Sequence, residues 1–196
     1  ALTITSGGTN YILVTNNNLT ARTNAVSGGS GNNFTYNNLT SFGLTGFSGV
    51  LLDSDNNQFE YNNISSRGYT LSVGNAGDSA ESNVFENNLL VSESSSVVYF
   101  GNGSDTRFVN DTLIKNSATS NFIELSHGNH TLTNVTFDKN NLSFFPSANA
   151  SLEIYWYMDV NVSNSNGVGV EGAVVNAYNT SSLVVDNGST GADGFV

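Results

Sequence analysis

The stretch Phe59-Glu60-Tyr61-Asn62-Asn63-Ile64 decides the fold, because its pattern recurs along most of the chain. The pattern starts with an apolar residue and ends with a second apolar residue five positions later. Between them, the fourth residue of the pattern is small and polar, usually Asn, and the other three can be of any type. The first residue of each copy lies at position 14, 34, 59, 85, 108 or 132, so successive copies are 20, 25, 26, 23 and 24 residues apart. A period near two dozen residues is typical of a solenoid, in which only stacked coils bury a core. The six copies are Val14…Asn17…Leu19, Phe34…Asn37…Leu39, Phe59…Asn62…Ile64, Phe85…Asn88…Leu90, Phe108…Asp111…Leu113 and Leu132…Val135…Phe137.

Pairs of apolar residues two positions apart precede several copies of the pattern. Residues at this spacing point to the same face of a β-strand. Each coil is therefore predicted to consist of short strands separated by turns rich in Gly, Asn and Ser. The single proline and the scarcity of helix-forming runs favour a nearly all-β chain. The pairs are Val50 and Leu52, Leu71 and Val73, Val98 and Phe100, and Ile123 and Leu125.

The recurring asparagines predict a structural ladder formed by Asn17, Asn37, Asn62 and Asn88. Asn tolerates the left-handed conformation that a coil corner requires. Stacked Asn side chains also form hydrogen bonds along their column. Asp111 continues this column, and Val135 in the following copy ends it.

This pattern resembles the right-handed parallel β-helix of the pectin-lyase-like superfamily. It is most similar to the short Asn-rich repeats of archaeal and bacterial secreted or cell-surface proteins. The resemblance covers roughly residues 10–150. It implies an all-β, right-handed parallel β-helix domain over residues 1–150 and carries almost no information about activity.

The repeat ends near residue 150, and a second domain is predicted over residues 151–196. Residues 152–162 alternate apolar and polar side chains, which predicts one long strand. Together with residues 172–178 and 190–196 they resemble the opening strands of a carboxypeptidase-regulatory-like, Ig-like β-sandwich. The resemblance implies further strands after Val196, which we expect from additional sequence or from a neighbouring subunit. Residues 1–5 are expected to form the first strand or cap of the solenoid, with a donated strand as the alternative.

Composition restricts the partners. The chain of 196 residues has 16 acidic and 5 basic residues, for a formal net charge of -11. Nucleic acid and anionic membrane surfaces are therefore unlikely partners, because both require clustered Lys and Arg. There is no cysteine and no apolar run long enough for a membrane-spanning helix, so neither disulfides nor a transmembrane segment is expected.

The sequence contains 13 N-x-S/T sequons, of which several are expected to carry N-glycans. Asn18, Asn38 and Asn63 each precede an inward apolar residue, so alternation points them outward in one column. Neighbours in such a column are only about 4.8 Å apart, which predicts incomplete occupancy. The sequons begin at Asn18, Asn33, Asn38, Asn63, Asn102, Asn110, Asn129, Asn134, Asn141, Asn149, Asn161, Asn179 and Asn187.

The acidic residues do not predict a catalytic site. A glycosidase needs two carboxylates on one face, roughly 5–10 Å apart, whereas the acids of this chain are scattered among turns. Ser126-His127-Gly128 resembles a triplet of polygalacturonases, but the paired Asp motifs that accompany it there are absent. Asp111 and Glu124 are the only nearby carboxylate candidates. We therefore expect no catalytic residues.

Two acidic turns are weak calcium candidates, and no other cofactor is expected. Asp53, Asp55 and Asn57 have the D-x-D-x-N opening of a calcium loop but lack its Gly at the sixth position and Glu at the twelfth. The second turn contains Asp186, Asn187 and Asp193. In both turns the alternative interpretation is a solvated loop.

These features favour a non-catalytic, extracellular structural protein, a subunit or module of a surface sheath, S-layer or filament. Its partners would be copies of itself or other surface proteins, contacted through strand edges. The first alternative is a carbohydrate-binding or adhesin module in which Tyr36, Tyr61 and Tyr99 support sugars. The second alternative is a polysaccharide lyase or hydrolase of the β-helix type.

Overall fold

A computed structural model describes residues 2–3, 12–22, 26–27, 29–43, 48–74, 79–178 and 184–196. The regular elements in these ranges are all β-strands, as the sequence predicts. Among the described residues, no helix has the length and apolarity needed to cross a membrane. The chain divides into two compact units, residues 1–156 and residues 157–196.

The first unit is built from short strands that recur with the period of the sequence pattern. Most have three or four residues, because a turn follows after one or two inward-pointing side chains. The strands are β1 (Leu2–Thr3), β2 (Leu13–Thr15), β3 (Asn18–Ala21), β4 (Val26–Ser27), β5 (Asn33–Thr35), β6 (Asn38–Ser41), β7 (Val50–Leu52), β8 (Gln58–Glu60), β9 (Asn63–Ser66), β10 (Leu71–Val73), β11 (Ala80–Glu81), β12 (Val84–Glu86), β13 (Leu89–Ser92), β14 (Val98–Phe100), β15 (Gly103–Ser104), β16 (Arg107–Val109), β17 (Thr112–Lys115), β18 (Ile123–Thr133) and β19 (Leu142–Tyr155).

Most strands pair in parallel with their counterparts in the neighbouring coils and form three faces, and β11 and β15 pair with each other in a separate small sheet. Face 1 contains β1, β4, β7, β10, β14 and the start of β18. Face 2 contains β2, β5, β8, β12, β16 and the end of β18. Face 3 contains β3, β6, β9, β13 and β17. The prediction of a parallel β-solenoid is confirmed.

The last strand of the solenoid extends beyond the predicted domain boundary. β19 pairs in parallel with β18 over both the face 1 part and the face 2 part of β18, and the last pair is Thr133 with Tyr155. The sequence analysis placed the boundary at residue 150, whereas the first unit includes residues up to 156. Alternation alone does not distinguish a final solenoid strand from the first strand of a following domain, because both alternate with a period of two.

The core is a set of vertical columns of identical or similar side chains. On face 2, the rings of Phe34, Phe59, Phe85 and Phe108 stack with centroid separations of 4.5, 4.8 and 4.9 Å and interplanar angles of 6°, 9° and 12°. Leu39, Ile64, Leu90 and Leu113 form the equivalent column on face 3 and are at most 3% exposed. The eight residues of the four predicted apolar pairs on face 1 are all at most 1% exposed.

The corner between faces 2 and 3 differs from the prediction in its backbone conformation. The residues with positive φ are the ones that immediately precede the ladder positions, so the expectation that the ladder asparagines are left-handed is wrong. The left-handed residue turns the chain at the corner. The side chain of the ladder residue that follows it then points into the corner. The left-handed residues are Asn16, Tyr36, Tyr61, Asn87, Asn110 and Asn134, with φ between 53° and 57°.

The second unit contains a small antiparallel sheet formed by β20 (Val174–Tyr178) and β21 (Val184–Ser189). An isolated antiparallel bridge joins Asn161 to Phe195. Few of its described side chains are buried, and Thr190 is one of them, at 4% exposed. This sheet is compatible with part of a sandwich, and the Ig-like β-sandwich itself stays a prediction.

Replacing Phe59 with Ala should lower the free energy of unfolding by about 3–5 kcal/mol, because it removes a fully buried ring that stacks on Phe34 and Phe85. The matched control is Phe42→Ala, since Phe42 is 60% exposed and its loss should change stability by about 0.5 kcal/mol or less. Urea unfolding of the two variants measures both values. Equal destabilisation by the two substitutions would contradict the stacked core.

Candidate functional site

The first asparagine ladder consists of Asn17, Asn37, Asn62 and Asn88 and ends at Asp111. At each step the backbone N and Nδ2 of one residue both donate to Oδ1 of the residue in the next coil. For Asn37 and Asn62 these distances are 2.9 and 3.0 Å. Nδ2 of Asn62 also donates to the carbonyl oxygen of Phe34, 2.8 Å away. The ladder therefore satisfies backbone amides at a corner where no strand partner is present.

Asp111 ends this ladder as a buried residue whose side-chain oxygens accept hydrogen bonds from Asn88 and Val109. Its side chain is 0% exposed, and Oδ1 accepts from N and Nδ2 of Asn88 at 2.6 and 2.9 Å. The next coil places Val135 at this position, which offers no acceptor to a side-chain amide. Burial raises the pKa of Asp111 to about 7, although the hydrogen bonds from Asn88 oppose this rise.

A second asparagine ladder, which the sequence analysis missed, lies at the corner between faces 1 and 2. It consists of Asn32, Asn57 and Asn83, all at most 1% exposed. N and Nδ2 of Asn32 donate to Oδ1 of Asn57 at 3.0 and 3.1 Å, and Asn57 donates to Asn83 in the same way at 2.9 and 3.1 Å. The signal available in the sequence was an Asn exactly two positions before the Phe of three successive copies.

The calcium candidate turn with Asp53, Asp55 and Asn57 lies beside this second ladder. Oδ1 of Asn57 accepts both hydrogen bonds from Asn32, so Asn57 has a structural role. Oδ1 of Asp55 accepts from the backbone N of Glu81 at 2.8 Å. In the part of the chain that the structure describes, no three His, Cys, Asp or Glu side chains are grouped in a way that would hold a metal ion. Calcium binding by Asp53, Asp55 and Asn57, or by the turn with Asp186, Asn187 and Asp193, stays a prediction.

The Ser126-His127-Gly128 triplet lies in a tightly packed turn. Nδ1 of His127 is 3.1 Å from the carbonyl oxygen of Gly101 in the preceding coil. A Cβ atom on Gly128 would lie 1.9 Å from the carbonyl oxygen of Gly103, so this position requires glycine. Coil stacking accounts for these contacts of the triplet.

The two carboxylates considered with this triplet lie at different places on the solenoid. Asp111 is inside the corner between faces 2 and 3. Glu124 is on the outer side of face 1, where its carboxylate accepts from Ser96 Oγ at 2.6 Å and from Tyr69 Oη at 3.2 Å. Burial and the charge of Glu124 raise the pKa of Tyr69 to about 12. Glu124 therefore anchors neighbouring coils through neutral donors.

His130 occupies the ladder position two coils after Asn83 and is 1% exposed. Its ring stacks on Phe100 with a centroid separation of 3.7 Å, and Nε2 donates to the carbonyl oxygen of His127 at 2.9 Å. Burial lowers the pKa of His130 to about 4, so the ring is neutral near pH 7. This histidine is a core residue.

Three sequon asparagines form a column on the outer side of face 3. Asn18, Asn38 and Asn63 are direct partners in the register of β3, β6 and β9, and all three are exposed. Asn33, Asn134 and Asn141 are half-buried, and Asn179 lies outside the described residues. The remaining sequon asparagines are exposed, namely Asn102, Asn110, Asn129, Asn149, Asn161 and Asn187.

The three tyrosines considered as sugar platforms do not share one surface. Tyr36 and Tyr61 stack on each other at the corner between faces 2 and 3, with centroids 5.1 Å apart and an interplanar angle of 5°. Tyr99 points outward from face 1 and stacks on Tyr69 at 5.2 Å. The structure therefore brings together Tyr36 and Tyr61 and leaves Tyr99 in a separate aromatic cluster.

A polar groove of about 460 Å³ runs past the C-terminal ends of the face 3 strands. We call it the face 3 groove. Phe42, Arg67 and Glu93 follow β6, β9 and β13 and contribute one side chain per coil. The sequence analysis missed this groove, because three chemically different residues about 25 positions apart produce no periodic signal. Its remaining lining residues are Thr40, Ser41, Ser65, Ser66 and Ser94.

Comparison with known proteins gives only a distant structural likeness. No family model and no curated protein matches the chain. A solved structure from Parabacteroides merdae, described as a "putative glycosyl hydrolase", is 9% identical with a TM-score of 0.47. The alignment covers 74% of this chain and 81% of that chain. At this TM-score the likeness supports no inference about activity.

Replacing Asp111 with Asn should make the free energy of unfolding fall less as the pH rises. Because the pKa of Asp111 is raised from 3.8 to about 7 on folding, its contribution to stability is complete below about pH 4 and is lost as pH rises through 7. The wild type should therefore lose up to roughly 4 kcal/mol across this range from Asp111 alone, whereas the Asn variant should not. Denaturant unfolding at pH 4, 5.5, 7 and 8 measures the difference.

Asp138→Asn is a control at a carboxyl group whose pKa is shifted in the opposite direction. Hydrogen bonds from Asn140 and Asn141 lower the pKa of the exposed Asp138, so its contribution is lost as pH falls. This variant should retain the wild-type loss of stability between pH 4 and pH 7. Parallel pH profiles for the wild type and Asp111→Asn would contradict the role of Asp111.

Proposed function

We propose that the protein is a non-catalytic, extracellular structural protein of an archaeal or bacterial cell surface, built into a sheath, S-layer or filament. The observation that carries this proposal is the edge of β19. Within the described part of the chain this strand of 14 residues pairs only with β18. An exposed edge of a parallel sheet is a template for pairing with another strand.

The chemistry of this edge favours association with a second copy of the chain. Phe144 and Phe145 are 51% and 41% exposed on β19, so association there would bury apolar surface. Pro146 lacks an amide hydrogen and weakens strand pairing at its own position. Contacts between copies are therefore expected from the two phenylalanines and from residues 148–155.

The column of exposed sequons supports the extracellular part of this proposal. N-glycans on Asn18, Asn38 and Asn63 would project from face 3 and cover it with hydrophilic chains. They would lie on face 3, whereas β19 continues faces 1 and 2 through its pairing with β18. The net charge of -11 would add repulsion between lateral surfaces, which favours contact through the ends.

Replacing Phe144 with Glu should weaken self-association at least tenfold, because it places a charge at an exposed apolar position of the edge strand. The control is Phe42→Glu, which introduces the same charge at a 60% exposed position directly after β6, a strand that is paired on both sides. Sedimentation velocity over a range of concentrations and negative-stain electron microscopy measure assembly. A wild-type protein that stays monomeric at high concentration would overturn the assembly proposal.

A carbohydrate-binding module is the second candidate, and the face 3 groove favours it. An exposed phenylalanine, an arginine, a glutamate and several hydroxyl groups line the groove. Aromatic rings and well-placed polar groups are the usual components of a polar ligand site. Glu93 is the one acidic residue among its lining residues, whereas the usual glycoside hydrolysis uses a pair of carboxylates.

Arg67→Ala and Phe42→Ala should each weaken glycan binding by roughly tenfold if the groove binds sugars, as expected for losing about 1–1.5 kcal/mol of contact. Ile114→Ala, which alters an exposed side chain of β17 outside the groove lining, is the control. A glycan array followed by calorimetry measures binding, and a reducing-sugar assay on any bound glycan tests for hydrolysis. Turnover of that glycan would overturn the non-catalytic proposal.

A further inference from the structure

Two coils of the solenoid place a tyrosine where the others use asparagine. The left-handed corner residue is Asn at positions 16, 87, 110 and 134, but Tyr36 and Tyr61 adopt the same conformation with φ of 56° and 54°. Left-handed backbone costs roughly 1–2 kcal/mol per residue for side chains other than Gly and Asn. A strained residue at a position where an unstrained residue fits marks a candidate functional position.

The strain is not explained by burial. Tyr36 and Tyr61 are 59% and 49% exposed, so both rings remain largely in water. Their mutual stacking at 5.1 Å covers one face of each ring, and much of each side chain still contacts solvent. The pair is therefore an exposed, stacked aromatic surface at this corner.

Both tyrosines lie two positions before an exposed sequon asparagine. Asn38 follows Tyr36 and Asn63 follows Tyr61, and two residues span at most about 7 Å between Cα atoms. The intervening ladder residues Asn37 and Asn62 are buried, so each Tyr and the following sequon Asn lie on the outside of the same corner.

Among the described sequons, an exposed tyrosine two positions earlier occurs at these two sites, and the one other exposed ring at this spacing is the imidazole of His127 before Asn129. Asn102 and Asn110 also have an aromatic residue two positions earlier, but Phe100 and Phe108 are at most 1% exposed. Asn18, which belongs to the same column as Asn38 and Asn63, follows Asn16 at the corner. Asn18 is therefore a matched site that lacks the aromatic neighbour.

We propose that Tyr36 and Tyr61 pack against the first sugars of N-glycans attached to Asn38 and Asn63. The inference rests on the glycosylation included in the proposed function. One face of a pyranose ring is lined by C–H groups, and aromatic rings bind such apolar faces while the hydroxyl groups stay in water. The contact would offset the backbone strain and fix the orientation of the glycans on face 3.

The experiment compares four proteins secreted from a host that modifies N-x-S/T sequons. They are the wild type, Tyr36→Asn/Tyr61→Asn, Asn38→Gln/Asn63→Gln, and the combination of all four substitutions. Asn is compatible with the left-handed corner, so the tyrosine variant should fold. Intact mass and glycopeptide mass spectrometry first establish occupancy at Asn38 and Asn63.

Loss of the two glycans should lower the melting midpoint by about 2–4 °C when the tyrosines are present. The same loss should shift it by less than about 1 °C when they are replaced. Asn18→Gln is the control and should shift the midpoint equally in both backgrounds. In NMR spectra, the first sugars at Asn38 and Asn63 should show ring-current shifts that vanish in the tyrosine variant.

The outcomes separate this inference from the proposed function. Occupied sites with the same glycan-dependent shift in both backgrounds would overturn the role of the tyrosines and leave glycosylation intact. An unmodified mass at Asn38 and Asn63 would overturn both the tyrosine inference and the glycosylated surface.

Discussion

The hydrogen bond from one coil to the asparagine Oδ1 of the next is the interaction on which the rest of the solenoid depends. At a corner between two sheets a backbone amide has no strand partner, and an unsatisfied buried amide costs about 1–3 kcal/mol. Oδ1 of Asn62 satisfies the backbone amide of Asn37 and receives a second bond from its Nδ2. Two such columns, at two different corners, hold successive coils in one register.

The ladders also have a direction, which explains how they end. Each asparagine donates toward the higher-numbered coil and accepts from the lower-numbered one, so the last residue needs acceptors more than donors. Asp111 meets that requirement in the first ladder, at the cost of a buried carboxyl group with a raised pKa. In the second ladder the following positions are Thr106 and His130, both at most 1% exposed.

The sequence was sufficient to predict the parts of the structure that repeat with constant chemistry. The Phe column, the apolar pairs of face 1 and the outward sequon column all follow from residues recurring at one spacing. The second ladder was not predicted, because Asn32 and Asn57 lie within polar turns, where an additional asparagine gives no distinct signal. The left-handed position was assigned one residue late because runs such as Asn16-Asn17 fit either assignment.

The candidate sites were harder to predict, because they arise where the coils differ. Phe42, Arg67 and Glu93 become neighbours only after coils stack, and their chemistry varies from coil to coil. At the regularly repeating positions, packing and register restrict which residues fit, so few of these positions can be adapted to bind a ligand. Departures that cost stability without burying surface, such as the left-handed Tyr36 and Tyr61, are therefore more informative about function than the repeats that surround them.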